Sequence, residues 1–203
     1  VLLIDADPQA NATSGLGIEE VNNSTYHLLE HSASARDCIQ ATSSPNLDLI
    51  PSHIDLVAAE IELVYSDKRE YMLKKALESV KNEYDYIIID CMPSLGMLTV
   101  NALTCADTVL IPVQAAYLPV KGLQQLIKTI YSVKRQLNKE LEIEGILLTM
   151  VDNRTNYAKD IVLQVTDAYG KTIPVFPIDI PVSVRSSKTF FFFKQKTAYE
   201  IQV

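Results

Sequence analysis

Tryptophan is absent from this 203-residue chain, glycine occurs only six times, and cysteine only three times. Cys38, Cys91 and Cys105 are odd in number and lack any C-x-x-C pairing, which argues against a disulfide framework or zinc site and for reduced cytosolic thiols. No apolar run reaches the roughly 18 residues that a bilayer span needs. No secretory leader is legible either, because Asp5 interrupts the opening apolar run. Basic residues are in deficit: 18 Lys and Arg stand against 25 Asp and Glu, for a net charge of −7. A field of that sign repels nucleic acid, so any DNA contact needs a local basic patch. The most consequential absence is a phosphate loop of the form G-x-x-x-x-G-K-[ST], which occurs nowhere in the sequence.

What is present is a strand running into acids. Val1-Leu2-Leu3-Ile4-Asp5-Ala6-Asp7-Pro8-Gln9 is matched later by Tyr86-Ile87-Ile88-Ile89-Asp90-Cys91, with Pro93 two residues on. A short β-branched run ending in a carboxylate delivers that acid to the carboxyl edge of a parallel sheet, where open α/β folds bind ligands. Two such edges suggest a nucleotide and metal site. Hydrophobic content of 48% is enough for one substantial core.

Further strands are predicted at Leu47–Ile50, Thr108–Val113, Gly145–Met150 and Ile173–Phe176. Helical faces run through Met72, Leu73, Ala76, Leu77 and Val80, and through Leu123, Leu126, Ile127, Ile130 and Leu137. Asp67 is a candidate cap for the first helix, and Pro119 a candidate first-turn residue for the second. The alternation predicts an α/β fold with a doubly wound, mainly parallel sheet. His27, His31 and His53 show no metal-ligand spacing.

The last fourteen residues depart from this pattern. Phe190–Phe193 holds four of the five phenylalanines, and residues 190–203 resemble translated sequencing-adapter DNA. The expected organisation is therefore a domain over 1–189 followed by a non-native tail, the alternative being a real apolar strand or docking tail.

Asp5-Ala6-Asp7-Pro8-Gln9-Ala10-Asn11-Ala12-Thr13-Ser14-Gly15-Leu16-Gly17 resembles the second nucleotide motif of the ParA/Soj chromosome- and plasmid-partitioning ATPases, P-loop proteins of the deviant-Walker class that includes MinD. Collinear matches follow at Ala59-Glu60-Ile61-Glu62-Leu63, Tyr84 to Gly96, Asn101-Ala102-Leu103, Ile111-Pro112-Val113-Gln114 and Leu147 to Asn156, covering roughly residues 1 to 185.

The resemblance implies an incomplete P-loop NTPase fold without its first strand and K-G-G-x-G-K-[ST]-[ST] loop, and roles for ATP and Mg²⁺. Asp7 corresponds to the acid that orients the attacking water. Asp90 corresponds to the acid of the Mg²⁺ shell, with Asp5 supporting it. Asp5, Pro8, Gln9, Asp152 and Asn153 fall at nucleotide-binding positions, and Arg154 and Arg185 at positions implicated in sequence-independent DNA binding. The plain alternatives are a turn cap for a strand-end Asp, and a surface residue or local salt bridge for an Arg. Met92 replaces a usual proline.

The resemblance further implies a homodimer on ATP binding, a ParB-like partner that stimulates hydrolysis, cytoplasmic and nucleoid-associated localisation, and no membrane. Without the loop, this chain itself is expected to be inactive. A MinD-like membrane-cycling ATPase and a non-enzymatic DNA-binding or regulatory module are the rivals.

Overall fold

The computed structural model describes residues 1–115, 120–152, 154–182 and 199–202. Pro119, Asn153, Arg185 and Phe190–Phe193 lie outside the described residues.

The first acid-tipped run forms β1 (Leu2–Ala6), and α1 (Asn11–Gly15) follows it directly. The polar stretch after it yields α2 (Thr25–Leu29), α3 (Ala35–Cys38) and the two-residue β2 (Gln40–Ala41). Next come β3 (Asp48–Ile50), α4 (Leu56–Glu62) and α5 (Met72–Leu77). The second acid-tipped run is β4 (Ile87–Cys91), followed by α6 (Met97–Cys105), β5 (Thr108–Gln114), α7 (Val120–Gln136), β6 (Glu142–Val151) and α8 (Asn156–Tyr169). Two short strands complete the order, β7 (Ile180–Pro181) and β8 (Tyr199–Gln202).

The eight strands of the described residues join one sheet in the order β2-β3-β1-β4-β8-β5-β6-β7. The pairs β1–β3, β1–β4, β5–β6 and β6–β7 are parallel, whereas β2 and β8 run antiparallel to their neighbours. The doubly wound α/β architecture is thus present. Tyr199–Gln202, within the stretch expected to be a non-native tail, lies between β4 and β5.

Ile173–Phe176, predicted as a strand, makes only an isolated parallel bridge, Ile146 to Val175. Two backbone bonds hold it there, Ile146 N to Pro174 O and Phe176 N to Ile146 O. Asp67 does not occupy the cap position of α5, which Tyr71 takes after a 3-10 turn at Arg69–Tyr71.

The core follows the strand pattern. Leu2, Ile4, Ile87, Ile89, Val109 and Ile111 are buried at alternate positions of β1, β4 and β5. Leu73, Leu77 and Val80 close one side, and Leu123, Leu126, Ile130 and Val133 of α7 also join the core. Cys38, Cys91 and Cys105 are free and buried. Among the described residues, no helix is long and apolar enough to cross a membrane.

Candidate active site

In the parallel register of β1 and β4, Asp5 lies directly beside Asp90 and Ala6 beside Cys91. The two acids singled out from separate parts of the sequence therefore share one edge of the sheet. Burial pushes the Cys91 thiol well up, and the charges of Asp90, Asp7 and Asp5 push it further. One thiol senses all three carboxylates.

Asp5 and Asp7 are both buried but are used differently. Both oxygens of Asp5 accept bonds from the chain that follows it. Oδ1 takes Asp7 N at 3.2 Å, and Oδ2 takes Thr13 N at 2.9 Å and Thr13 Oγ1 at 2.7 Å. Thr13 Oγ1 in turn accepts from Ser52 N, beyond the end of β3, at 2.9 Å. Burial raises the Asp5 carboxyl above its ordinary value of 3.8, although the Thr13 and Asp7 bonds pull it down. Asp5 thus fastens the β1–α1 turn.

Asp7 sits on that turn. Its Oδ1 accepts from Gln9 N at 2.9 Å, and its carbonyl accepts from Ala10 N at 2.9 Å. Ala10 occupies the left-handed region at φ 52°, a conformation costing a non-glycine residue on the order of 1–2 kcal/mol. The Asp5 network and the tight turn hold it there. Pro8 is buried and Gln9 exposed, so the glutamine faces solvent from the same turn.

Several family-motif residues prove structural. Glu60 accepts from Met97 N at 2.8 Å and Leu98 N at 3.1 Å, so α4 caps the first turn of α6. An anion there meets unpaired amides and the positive end of the helix. Asn101 accepts from Leu73 N and donates to Arg69 O and Met97 O, tying α5 to α6. Asn138 closes the other end of α6 through Leu103 O and Ala106 O. The sequence signalled Glu60 and Asn101 only as motif members and did not single out Asn138; their partners outside their own elements lie 28 to 38 residues away.

Gly96 explains its own place in the motif. A Cβ there would stand 2.7 Å from Glu60 Cδ. Gly96→Ala is expected to cost about 1–2 kcal/mol by displacing the capping carboxylate. In a Glu60→Ala background the cost should nearly vanish, as read from denaturant midpoints in a double-mutant cycle. Equal costs in both backgrounds would mean that the glycine serves another purpose.

Arg154 and Asp152 come together just after β6. Arg154 Nε and NH2 reach Asp152 Oδ1 and Oδ2, each at 2.8 Å, in a bidentate fork. The fork holds the Asp152 carboxyl at about 2. Arg154 remains 86% exposed at its side chain, so the pair is a surface element that another anion can contest.

The site has an acidic half suited to a hard cation. Mg²⁺ is held by one or two carboxylates together with waters and substrate phosphates, not by an all-protein cage. The described residues contain no cluster of three or more His, Cys, Asp or Glu able to hold a metal alone. Asp90 at the end of β4, beside the Asp5–Asp7 turn, fits that limited demand.

Comparison with known proteins accords with this geometry. A family model described as "AAA domain" matches residues 1–143. The sporulation initiation inhibitor protein Soj of Bacillus subtilis is 52% identical over 190 residues, 93% of this chain and 74% of Soj. The chromosome partitioning protein ParA of Myxococcus xanthus is 46% identical over 203 residues, 99% of this chain and 71% of that protein. Among solved structures, a Mycobacterium smegmatis protein named cobyrinic acid a,c-diamide synthase, with bound ADP and magnesium, matches at TM-score 0.85 and 33% identity. The match covers 97% of this chain and 84% of that one.

Proposed function

The chain belongs to the AAA-domain family of Soj and ParA partitioning ATPases, and from that premise we propose that it carries the catalytic acids of an ATP-dependent partition switch. The observation that carries this reading is the shared sheet edge, with Asp90 beside the Asp5–Asp7 turn. In the proposal ATP joins two copies face to face, and the dimer binds DNA without reading sequence. A ParB-like partner stimulates hydrolysis, which dissolves the dimer in the cytoplasm at the nucleoid, without membrane attachment.

Phosphoryl transfer depends mostly on positioning and charge stabilisation. Asp7, on a turn fixed by Asp5 and Gln9, is suited to orient a water and take its proton. Asp90 and, behind it, Asp5 hold the metal side of the site. Mg²⁺, when bound, offsets phosphate charge. Pro8 shapes the turn, and Gln9, Asp152 and Asn153 contribute to the nucleotide surface. Because the 203 residues contain no glycine-rich lysine loop, the amides and lysine that cradle phosphates are not among them. This chain alone is expected to show no Mg²⁺-dependent ATP turnover above background in a phosphate-release assay. Turnover that Asp7→Ala abolishes would overturn that expectation.

Arg154 and Arg185 are the proposed DNA contacts. For Arg154 the fork with Asp152 must open, exchanging a carboxylate for a phosphate. In the chain joined to the family loop, Arg154→Ala should weaken ATP-dependent DNA binding across all sequences and lower the salt slope by roughly one phosphate contact. ATP-driven dimerisation should persist. An unchanged slope would leave Arg154 as a partner of Asp152 only and remove the best support for the DNA step.

A further inference from the structure

Strand β6 does not run regularly to its end. Up to Thr149 its residues alternate, Ile146 and Leu148 being buried and Leu147 and Thr149 half-buried. Continued alternation would bury Met150 and turn Val151 away. The reverse is found: Val151 is 2% exposed and Met150 half-buried. The backbone changes sides at the same place. Ile146 bonds towards Pro174 and Phe176 through both its N–H and its carbonyl, whereas Thr149 O accepts from Ala115 N, just past β5, at 2.9 Å. Carbonyls two residues apart on a regular strand point the same way. Yet Val151 O accepts from Val182 N, just past β7, at 3.1 Å.

Met150 is the residue that makes this change. It holds φ 54°, in the left-handed region. Pairing with β7 sets Thr149 opposite Ile180 and Val151 opposite Pro181, so Met150 is one residue extra on β6. That is a β-bulge. A one-residue slip sends every later side chain to the other face. Without it Asp152 would follow Ile146 and Leu148 onto the buried face. With it Val151 fills that face, and the Asp152 side chain stays 31% exposed. The next structure is built on Asp152 in that position. Its Oδ1 accepts from Arg154 N at 3.1 Å, its carbonyl accepts from Thr155 N at 3.0 Å, and Thr155 Oγ1 caps α8 by accepting from Ala158 N at 3.2 Å.

Methionine has no preference for φ above zero, and strain of this kind persists where the surroundings impose it, typically beside functional groups. We propose that Met150 is a positioning residue: its left-handed bulge turns Asp152 out of the core and so aims the Asp152–Arg154 fork from the carboxyl edge of the sheet. The placement itself needs neither nucleotide nor DNA; only what the fork contacts rests on the function proposed above.

Two readouts on the 203-residue chain test the proposal. Met150→Gly and Met150→Ala remove the same side chain but differ in their tolerance of φ above zero. The glycine variant should therefore unfold at the higher denaturant midpoint, the reverse of the usual order within a strand. A higher midpoint for alanine would show that residue 150 does not hold the left-handed bulge, and would overturn the proposal even if bulkier variants failed to fold. NMR titration of the Asp152 carboxyl is the second readout. With the fork formed it titrates at about 2, and it should stay there in Met150→Gly and Met150→Asn, which accept the left-handed conformation. In Met150→Ile, whose β-branch opposes that conformation, it should move towards the ordinary 3.8. A folded Met150→Ile with a lowered midpoint but Asp152 still at about 2 would make Met150 a packing residue and overturn the positioning role. In the chain joined to the family loop, Met150→Ile should also lower the DNA salt slope as Arg154→Ala does. A shifted Asp152 titration with an unchanged slope would uphold the positioning role and count against the DNA contact instead.

Discussion

Joined to the glycine-rich lysine loop of its family, the chain carrying Asp7→Ala is expected to lose ATP turnover on the order of 10²-fold or more while still binding nucleotide and dimerising. The expectation rests on how Asp7 is held. Its carboxylate is buried, its amide is tied to Asp5, and the turn after it is fixed by the left-handed Ala10. A group so constrained acts by position, and position matters most in the transition state. Ground-state contacts to nucleotide come chiefly from phosphate-cradling amides elsewhere. Phosphate release and nucleotide affinity, measured side by side, separate the outcomes. If affinity fell in step with turnover, Asp7 would be an anchor for metal or fold instead of an orienter of water.

Asp5→Ala should cost the 203-residue chain about 2–4 kcal/mol in folding stability, because it strands three donors: Asp7 N, Thr13 N and Thr13 Oγ1. A buried donor left without its acceptor costs roughly 1–3 kcal/mol, and neighbours in one network do not add fully. The loss should depend on pH with a definite sign. The folded carboxyl titrates above its unfolded value of 3.8, so the folded state holds its proton more tightly. The stability Asp5 contributes through this proton is present below 3.8 and lost as pH rises through the folded value. The deficit of the alanine variant should therefore be largest in acid and shrink as pH climbs through that interval. Denaturant midpoints of both chains across the range check it. A deficit that grows with pH would mean that the Thr13 and Asp7 hydrogen bonds outweigh desolvation.

Much of the framework was legible beforehand because it is local. The apolar runs at Leu2–Ile4 and Ile87–Ile89 are strands for the reason that made them readable: they bury alternate residues along a pleated backbone. The misreading at Ile173–Phe176 has the same origin. That run is apolar enough for a strand, but its pairing with β6 is limited to the contact around Ile146, and local pattern says nothing about a neighbour's register. Asp67 was a plausible cap by residue type, yet the chain inserts a 3-10 turn at Arg69–Tyr71 before α5 begins.

By itself the sequence determined the family, the α/β class and the acids that end two strands, since apolar periodicity and motif order are properties of a linear chain. Tertiary structure decided what each acid does. Asp5 and Asp7 are two residues apart, but only the packing of α1 and β3 against β1 makes one a fastener and leaves the other on the turn. Glu60 became a helix cap only when α4 met α6, and Arg154 a fork to Asp152 only through the bend after β6. The antiparallel place of Tyr199–Gln202 between β4 and β5 was likewise not legible in the composition of that segment. Hydrogen bonds and ion pairs act over a few ångströms, and the sheet order, not sequence distance, sets which groups come that close.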